Sequence, residues 1–250
     1  MRNFKMLIRY DGSRYKGWQR LKDNDLTIQG KLQEILIKYA GTYVEIIGSG
    51  RTDAGVHAKG QIANFHLDTK ASPEELLNYF NRYLPDDIAV IELKECAPGF
   101  HARFNAISKT YRYTIRTSNI PDVFKRKYEY TYTDYPLDVE KMKKAAEYLT
   151  GTHDFMSFCG NSHMKKSTER TIFSIDINKK ESVINIDYTG NGFLQNMVRI
   201  MTGTLIEVGA GKRDPESMPS LLEGKKRSLA GFMAPPQGLC LLNVDYSAKG

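Results

Sequence analysis

Cysteine is scarce in this chain of 250 residues: Cys96, Cys159 and Cys240 lie far apart, with no CxxC pair. That spacing supports neither a zinc knuckle nor a thioredoxin-type redox centre. A sparse, odd count suits a reducing compartment where thiols serve as packing residues, so a cytoplasmic location is expected. No apolar run approaches the roughly 20 residues needed to span a bilayer, so no membrane partner is expected. The opening MRNFKMLIRYDG has a short apolar stretch but no long h-region and no small-residue cleavage site, which argues against a secretory signal. HxxxH and HExxH are absent, so His57, His66, His101, His153 and His163 read as structural or RNA-contacting rather than as metal ligands. No low-complexity segment interrupts the chain, and order is expected throughout.

What is plentiful is positive charge. Thirty-six lysines and arginines against 29 acids give a net charge of +7. A basic balance favours a polyanionic partner, because phosphate contacts dominate affinity for nucleic acid. The basic residues cluster at 125–127, 143–144, 165–166, 179–180, 212–213 and 225–227, all after residue 120. Any one cluster is most simply a solvated helix face or turn. Together they place much of the expected phosphate-binding surface in the second half.

Periodicity predicts a strand over 4–10, a helix over 27–40 with Thr27 as N-cap and Gly41 as stop, and strands over 43–47 and 61–67. A helix follows from Pro73 to about residue 83, then a strand over 88–95. A similar order recurs: strand 109–116, helix 137–149, a hairpin of 171–177 with 183–188, a long apolar helix over 193–208, a shorter helix near 215–222, and a closing strand over 239–246. The repeated β-α-β-β-α-β order predicts an α+β fold of two ferredoxin-like halves, residues 1–105 and 106–250. The expected architecture is a continuous, mainly antiparallel sheet with helices on one face and a central basic cleft.

The most unusual stretch is Gly48-Ser49-Gly50-Arg51-Thr52-Asp53-Ala54-Gly55-Val56-His57. Its glycines permit tight turns, and small neighbours leave Asp53 room to face a bound group. It is no P-loop, since no Lys-Ser or Lys-Thr follows the glycines. It is no dinucleotide fingerprint either, since Gly55 falls two positions late for GxGxxG. The bland alternative is a turn whose aspartate bonds backbone amides.

The run GSGRTDAGVHA resembles the active-site loop of the TruA family of tRNA pseudouridine synthases. The resemblance extends in order through RYDGSRYKGWQ, TIQGKLQEIL, FHARFNAISKTYRY, GTHDFMSF, NGFLQNMVRIMTG and APPQGLCL. It implies that Asp53 is the catalytic carboxylate. Uridine must lose its C1′–N1 bond, the freed uracil must turn, and a C1′–C5 bond must form. No electrons leave, so no cofactor is expected. A carboxylate serves such chemistry by attacking C1′, by attacking C6, or by starting an elimination through a glycal. A buried aspartate needs a cation to stay ionised, and the resemblance assigns that part to Arg199 in NMVRI. It assigns to Arg51 the task of entering the RNA helix to hold out the target base, which is otherwise hidden in a stem. Tyr111 in KTYRY would stack on the uracil and take part in removing the C5 proton, and Leu241 would pack on the base's other face. Strand alternation puts Tyr111, Tyr113 and Ile115 on one face; for an arbitrary strand, Tyr111 would read as a core aromatic. Trp18 takes no catalytic role. Cys240 stands where the family usually has an aromatic residue, a departure that bears on packing near Leu241.

The implied substrate is the tRNA anticodon stem-loop, at uridines 38, 39 and 40. The implied assembly is a homodimer with its interface in the second half, and no nucleotide cofactor is expected. Two other readings compete. A non-enzymatic RNA-binding protein on this fold would be expected to lose Asp53. A glycosidase or nucleosidase would need a second convincing carboxylate, and the sequence offers none.

Overall fold

The computed structural model describes residues 1–22, 26–161 and 163–246. Two compact units divide the chain. The first comprises Met1–Ile107 together with the chain from Leu241 onward, and the second comprises Ser108–Cys240.

In the first unit, β1 (Arg2–Tyr10) turns Phe4, Met6, Ile8 and Tyr10 inward at alternate positions and buries all four. Helix α1 (Ile28–Ala40) starts where Thr27 Oγ1 accepts the Gly30 N–H at 3.2 Å, and stops at Gly41, whose φ of 69° leaves the helical region. β2 (Ile47–Gly48) and β3 (His57–Leu67) follow. Helix α2 (Pro73–Tyr83) opens with a reciprocal capping box. Glu75 N–H donates to Ser72 Oγ at 3.2 Å, and Ser72 N–H donates to the Glu75 carboxylate at 2.6 Å. β4 (Ile88–Cys96) comes next, and the closing strand of the chain, Leu239–Tyr246, contributes its residues from Leu241 on to this unit. β1 lies between β4 and β3, antiparallel to both, and β2 is antiparallel to β3 at Asn64 and Ala63. The order β4-β1-β3-β2 is that of a ferredoxin-like half with its second strand reduced to two residues. Phe4 stacks on Phe65 across the β1–β3 ladder, and Phe65 meets Phe80 of α2 edge-on at 6.0 Å.

The strand expected over 43–47 is therefore mostly absent. Val44 and Ile46 are buried as a strand pattern requires. Their carbonyls, however, are taken by side-chain amides of α1: Gln29 Nε2 donates to Ile46 O at 2.8 Å and Gln33 Nε2 to Val44 O at 3.4 Å. The segment meets its backbone needs on the helix instead of on a ladder.

The second unit takes in most of β5 (Ala106–Arg116), with the two-residue β6 (Tyr130–Thr131) parallel to it. Helix α3 (Val139–Leu149), capped by Asp138, leads to β7 (Gly151–Asp154), β8 (Glu169–Lys180) and β9 (Val183–Gly190). The order β5-β9-β8-β7 is antiparallel at every step. Helix α4 (Met197–Gly209) and the short α5 (Met218–Gly224) follow, and the strand that closes the chain is β10 (Leu239–Tyr246). α3 packs against α4 and β8. The helix expected from residue 193 starts at Met197, because Asn196 sits at φ 59° and ends the preceding loop outside the right-handed helical region. α4 is buried almost all round, and Thr202 and Thr204 satisfy their hydroxyls on the Val198 and Ile200 carbonyls at 2.8 and 2.9 Å.

Candidate active site

The loop between β2 and β3 is fixed from both ends and from below. At its start, Ser49 N–H donates to Ile62 O at 2.7 Å, Ser49 Oγ donates to Gln61 Oε1 at 2.6 Å, and Gln61 Nε2 donates to Gly50 O at 3.0 Å. In the middle, Trp18 N–H donates to Thr52 O at 3.1 Å, and the Thr52 hydroxyl shares a hydrogen bond of 2.9 Å with the Tyr10 hydroxyl. After Asp53, Gly55 N–H donates to Tyr15 O and Val56 N–H donates to Asp53 O, both at 3.2 Å. At the far end, the buried His57 accepts the Gly12 N–H on Nδ1 at 3.0 Å. Asp53 is thus held through its own carbonyl and through Thr52 and Gly55 on either side of it. Its side chain is half-buried, between an exposed Ala54 and a buried Thr52, with Arg51 exposed.

The cradle under this loop is the segment 10–19, which shows a function its sequence did not announce. Gly17 stands at φ +97°, and a β-carbon there would lie 2.5 Å from Thr52 O. Trp18 is 2% exposed, and its indole lies 2.5 Å from where a β-carbon on Gly48 would sit. The indole is the floor of the loop: Gly48 lets β2 close on it, and Gly17 lets the cradle close on the Thr52–Ala54 backbone. The cradle is itself tied to α1, through Ile28 N–H to Gly17 O at 3.1 Å and Gln29 N–H to Trp18 O at 2.9 Å. Tyr15 adds a lateral anchor: its hydroxyl donates to Asp87 Oδ1 at 2.6 Å. Burial, reinforced by that hydrogen bond, pushes the Tyr15 phenol up to about 12. The clue in the sequence was the aromatic–glycine alternation of YDGSRYKGW. His57 serves the same purpose, as a structural acceptor at the loop's exit.

In the second unit, Tyr111, Tyr113 and Ile115 share the buried face of β5, as strand alternation predicts. Tyr111 sits opposite Tyr188 of β9, and its ring meets Phe193 edge-to-face at 5.2 Å and 83°. Tyr113 donates to Pro235 O at 2.7 Å, and burial raises its phenol far above the ordinary range. Arg199, in the first turn of α4, is 8% exposed. Its Nε donates to Ala234 O at 2.7 Å while its own carbonyl accepts the Ala234 N–H at 3.1 Å, so one residue fastens the 234 segment to α4 twice. Its positive charge favours the ionised Tyr113 and so acts against the burial that raises that phenol. Leu241 is fully buried and belongs with the first unit, as do Arg51 and Asp53, whereas Tyr111 and Arg199 belong to the second. Among the described residues no helix is long and apolar enough to cross a membrane.

Against this geometry stand the comparisons with known proteins. The sequence profile of a family described as tRNA pseudouridine synthase matches residues 6–105 and 145–247. The tRNA pseudouridine synthase A of Bacillus sp. (strain KSM-64) is 47% identical over 246 residues, covering 98% of this chain and all of the relative. The tRNA pseudouridine synthase A of Thermoanaerobacter sp. is 46% identical, and the tRNA pseudouridine synthase A 2 of Bacillus cereus 44%, both with the same coverage. The class these define is that of RNA-modifying isomerases. The chain belongs to the TruA family of tRNA pseudouridine synthases, whose reaction turns uridine into its C-glycoside isomer.

Proposed function

We propose that this chain isomerises uridine to pseudouridine at positions 38, 39 and 40 of the tRNA anticodon stem-loop, with Asp53 as the nucleophile and the target base extruded from its helix. The reaction balances internally. The C1′–N1 bond breaks, the uracil turns, the C1′–C5 bond forms, and the proton lost from C5 is matched by one gained at N1. The observation that carries the reading is the mounting of Asp53. A carboxylate of a glycine-rich loop is pinned by backbone hydrogen bonds on both sides, over a buried indole, in a chain of this family. Such preorganisation is what a nucleophile needs if it is not to spend its reactivity on sampling wrong geometries.

In this reading Arg51, exposed two residues before Asp53, enters the RNA helix in place of the extruded base. Tyr111 stacks on the uracil, Leu241 packs on the other face, and Arg199 is the cation that keeps the aspartate ionised. The enzyme acts as a homodimer in the cytoplasm, on a tRNA partner and without a cofactor. The test is incubation of the purified protein with unmodified tRNA and mapping of pseudouridine by carbodiimide labelling. Wild type is expected to label at those positions. Asp53→Asn and Asp53→Ala are expected to form no product while binding tRNA as well as wild type does. Product from either variant removes Asp53 from the chemistry.

A further inference from the structure

The second unit carries a loop that none of the roles above uses. Residues 117–129 leave the end of β5 and return as β6. Within them, SNIPDVFKRKY places two aromatic rings, Phe124 and Tyr128, around the run Lys125-Arg126-Lys127. Phe124 is 88% exposed, and Ile120, Val123 and Tyr128 are exposed as well. A single exposed apolar side chain needs no explanation, but four within nine residues mark a floppy segment or a surface awaiting a partner.

This loop is built rather than floppy. Its base is clamped by Arg116, which pairs through Nε and Nη2 with the carboxylate of Glu129, a residue only 4% exposed. Thr117 N–H and Oγ1 both donate to Ser182 O, at 2.7 and 3.1 Å. The tip is a formed turn: Asp122 Oδ1 accepts the Phe124 and Lys125 N–H groups at 3.0 and 3.2 Å, and Tyr128 N–H donates to Lys125 O at 2.7 Å. Asp122 also lies 3.5 Å from Arg116, so the tip is tied to the clamp, and 3.7 Å from Lys125 Nζ, a loose pair on an exposed lysine. Within the tip, Arg126 Nη1 donates to Val123 O. A fixed scaffold thus holds an aromatic ring and three cations out in solvent within four successive residues.

That combination has one well-matched ligand chemistry. Cations track a phosphate backbone, and an exposed ring offers a stacking face to a base that has no neighbour on one side. We propose that residues 120–128 are an RNA-binding loop in which Phe124 stacks on an unpaired base of the tRNA while Lys125, Arg126 and Lys127 contact flanking phosphates. This rests on the reading of tRNA as substrate and adds a subsite to it, separate from Asp53, Tyr111, Arg199, Arg51 and Leu241.

The test compares Phe124→Leu, Phe124→Trp and Lys125→Gln/Arg126→Gln/Lys127→Gln with wild type. The readouts are Kd for unmodified tRNA at several salt concentrations, and the single-turnover rate at saturating tRNA. Phe124→Leu is expected to weaken binding roughly 5- to 100-fold, the range that stacking supplies, and Phe124→Trp to keep wild-type affinity. The triple variant is expected to lower the slope of log Kd against log salt by about 0.7–0.9 for each phosphate the loop no longer neutralises. The rate at saturation should hold in all three. Wild-type Kd and slope in both Phe124→Leu and the triple variant would overturn the proposal. So would a change in oligomeric mass on Phe124→Leu with unaltered tRNA affinity, which would make the loop a contact between protein copies. If wild type itself neither binds nor modifies tRNA, the parent reading falls and this inference with it. If wild type modifies tRNA and the variants bind normally, only this inference falls.

Discussion

At the scale of single residues, the loop that carries Asp53 depends on groups that lie beneath it rather than within it. Gly17→Ala would force a β-carbon against Thr52 O and require φ near +97°, at a cost of about 1–3 kcal/mol. Because Thr52 adjoins Asp53, the relief of that clash moves the carboxylate. A displacement of about 1 Å costs on the order of 100-fold in rate. The expected outcome is therefore a lower thermal midpoint and a large loss of single-turnover rate, with tRNA Kd little changed; an unaffected rate would mean that the cradle does not position Asp53. Tyr15 gives a pH test. Its folded pKa of about 12 lies above the ordinary value of 10, so its contribution to stability is complete below about pH 10 and lost as pH rises through about 12. Denaturation of Tyr15→Phe should show lower stability than wild type at neutral pH and a shallower decline between pH 10 and 12. The glycine-rich run declared an unusual turn with an aspartate in it, and no more; only the likeness to a known loop singled the aspartate out. Trp18 could not be placed at all, since a tryptophan after a glycine fits an exposed loop as well as a floor, and what decides is the distant Gly48 that closes on it.

At the scale of elements, local chemistry was the legible part. Thr27, Gly41, Ser72 and Pro73 mark helix ends that the structure reproduces within a residue. The capping box on α2 allows a clean prediction: Ser72→Ala should cost about 1 kcal/mol in equilibrium unfolding and leave pseudouridine formation unchanged. The Glu75 carboxyl is held below the usual carboxylate range by the Ser72 N–H, then by the Ser72 hydroxyl. That contribution is present at neutral pH and fades as pH falls through the depressed value, so the deficit of Ser72→Ala should shrink in acid. Equal deficits at neutral and acidic pH would mean that the Ser72 hydroxyl gives nothing to the Glu75 carboxylate. What local pattern could not reveal was competition for backbone groups. Residues 43–47 have a strand's burial but lose their ladder to the amides of Gln29 and Gln33, two polar side chains on the otherwise apolar buried face of α1. Likewise α4 starts late because Asn196 is left-handed, and nothing in NGFLQN distinguishes that asparagine from a helical one.

At the scale of the whole molecule, net charge names the kind of partner without locating the surface. Of the basic clusters after residue 120, several are already engaged by acids. Lys143 lies 2.9 Å from Glu140, Lys144 2.6 Å from Glu216, Arg213 3.0 Å from Glu207 and Lys225 2.9 Å from Asp154, whereas in the 125–127 run Lys125 is paired more loosely, 3.7 Å from Asp122. Lys212 sits 3.9 Å from the centroid of the Tyr135 ring. A cation that already has a carboxylate releases few counterions when it meets a phosphate, and it must break its own pair to do so. Clusters that look alike in the sequence should therefore differ in what they do to RNA binding. Lys143→Gln/Lys144→Gln is expected to leave the slope of log Kd against log salt within about 0.3 of wild type. The change at 125–127 should reduce that slope by about 0.7–0.9 for each phosphate it leaves without a cation. Measuring both slopes on one tRNA under one buffer series ranks the two surfaces directly. A slope that drops by about two at α3 and stays fixed at the loop would move the RNA path to the helix.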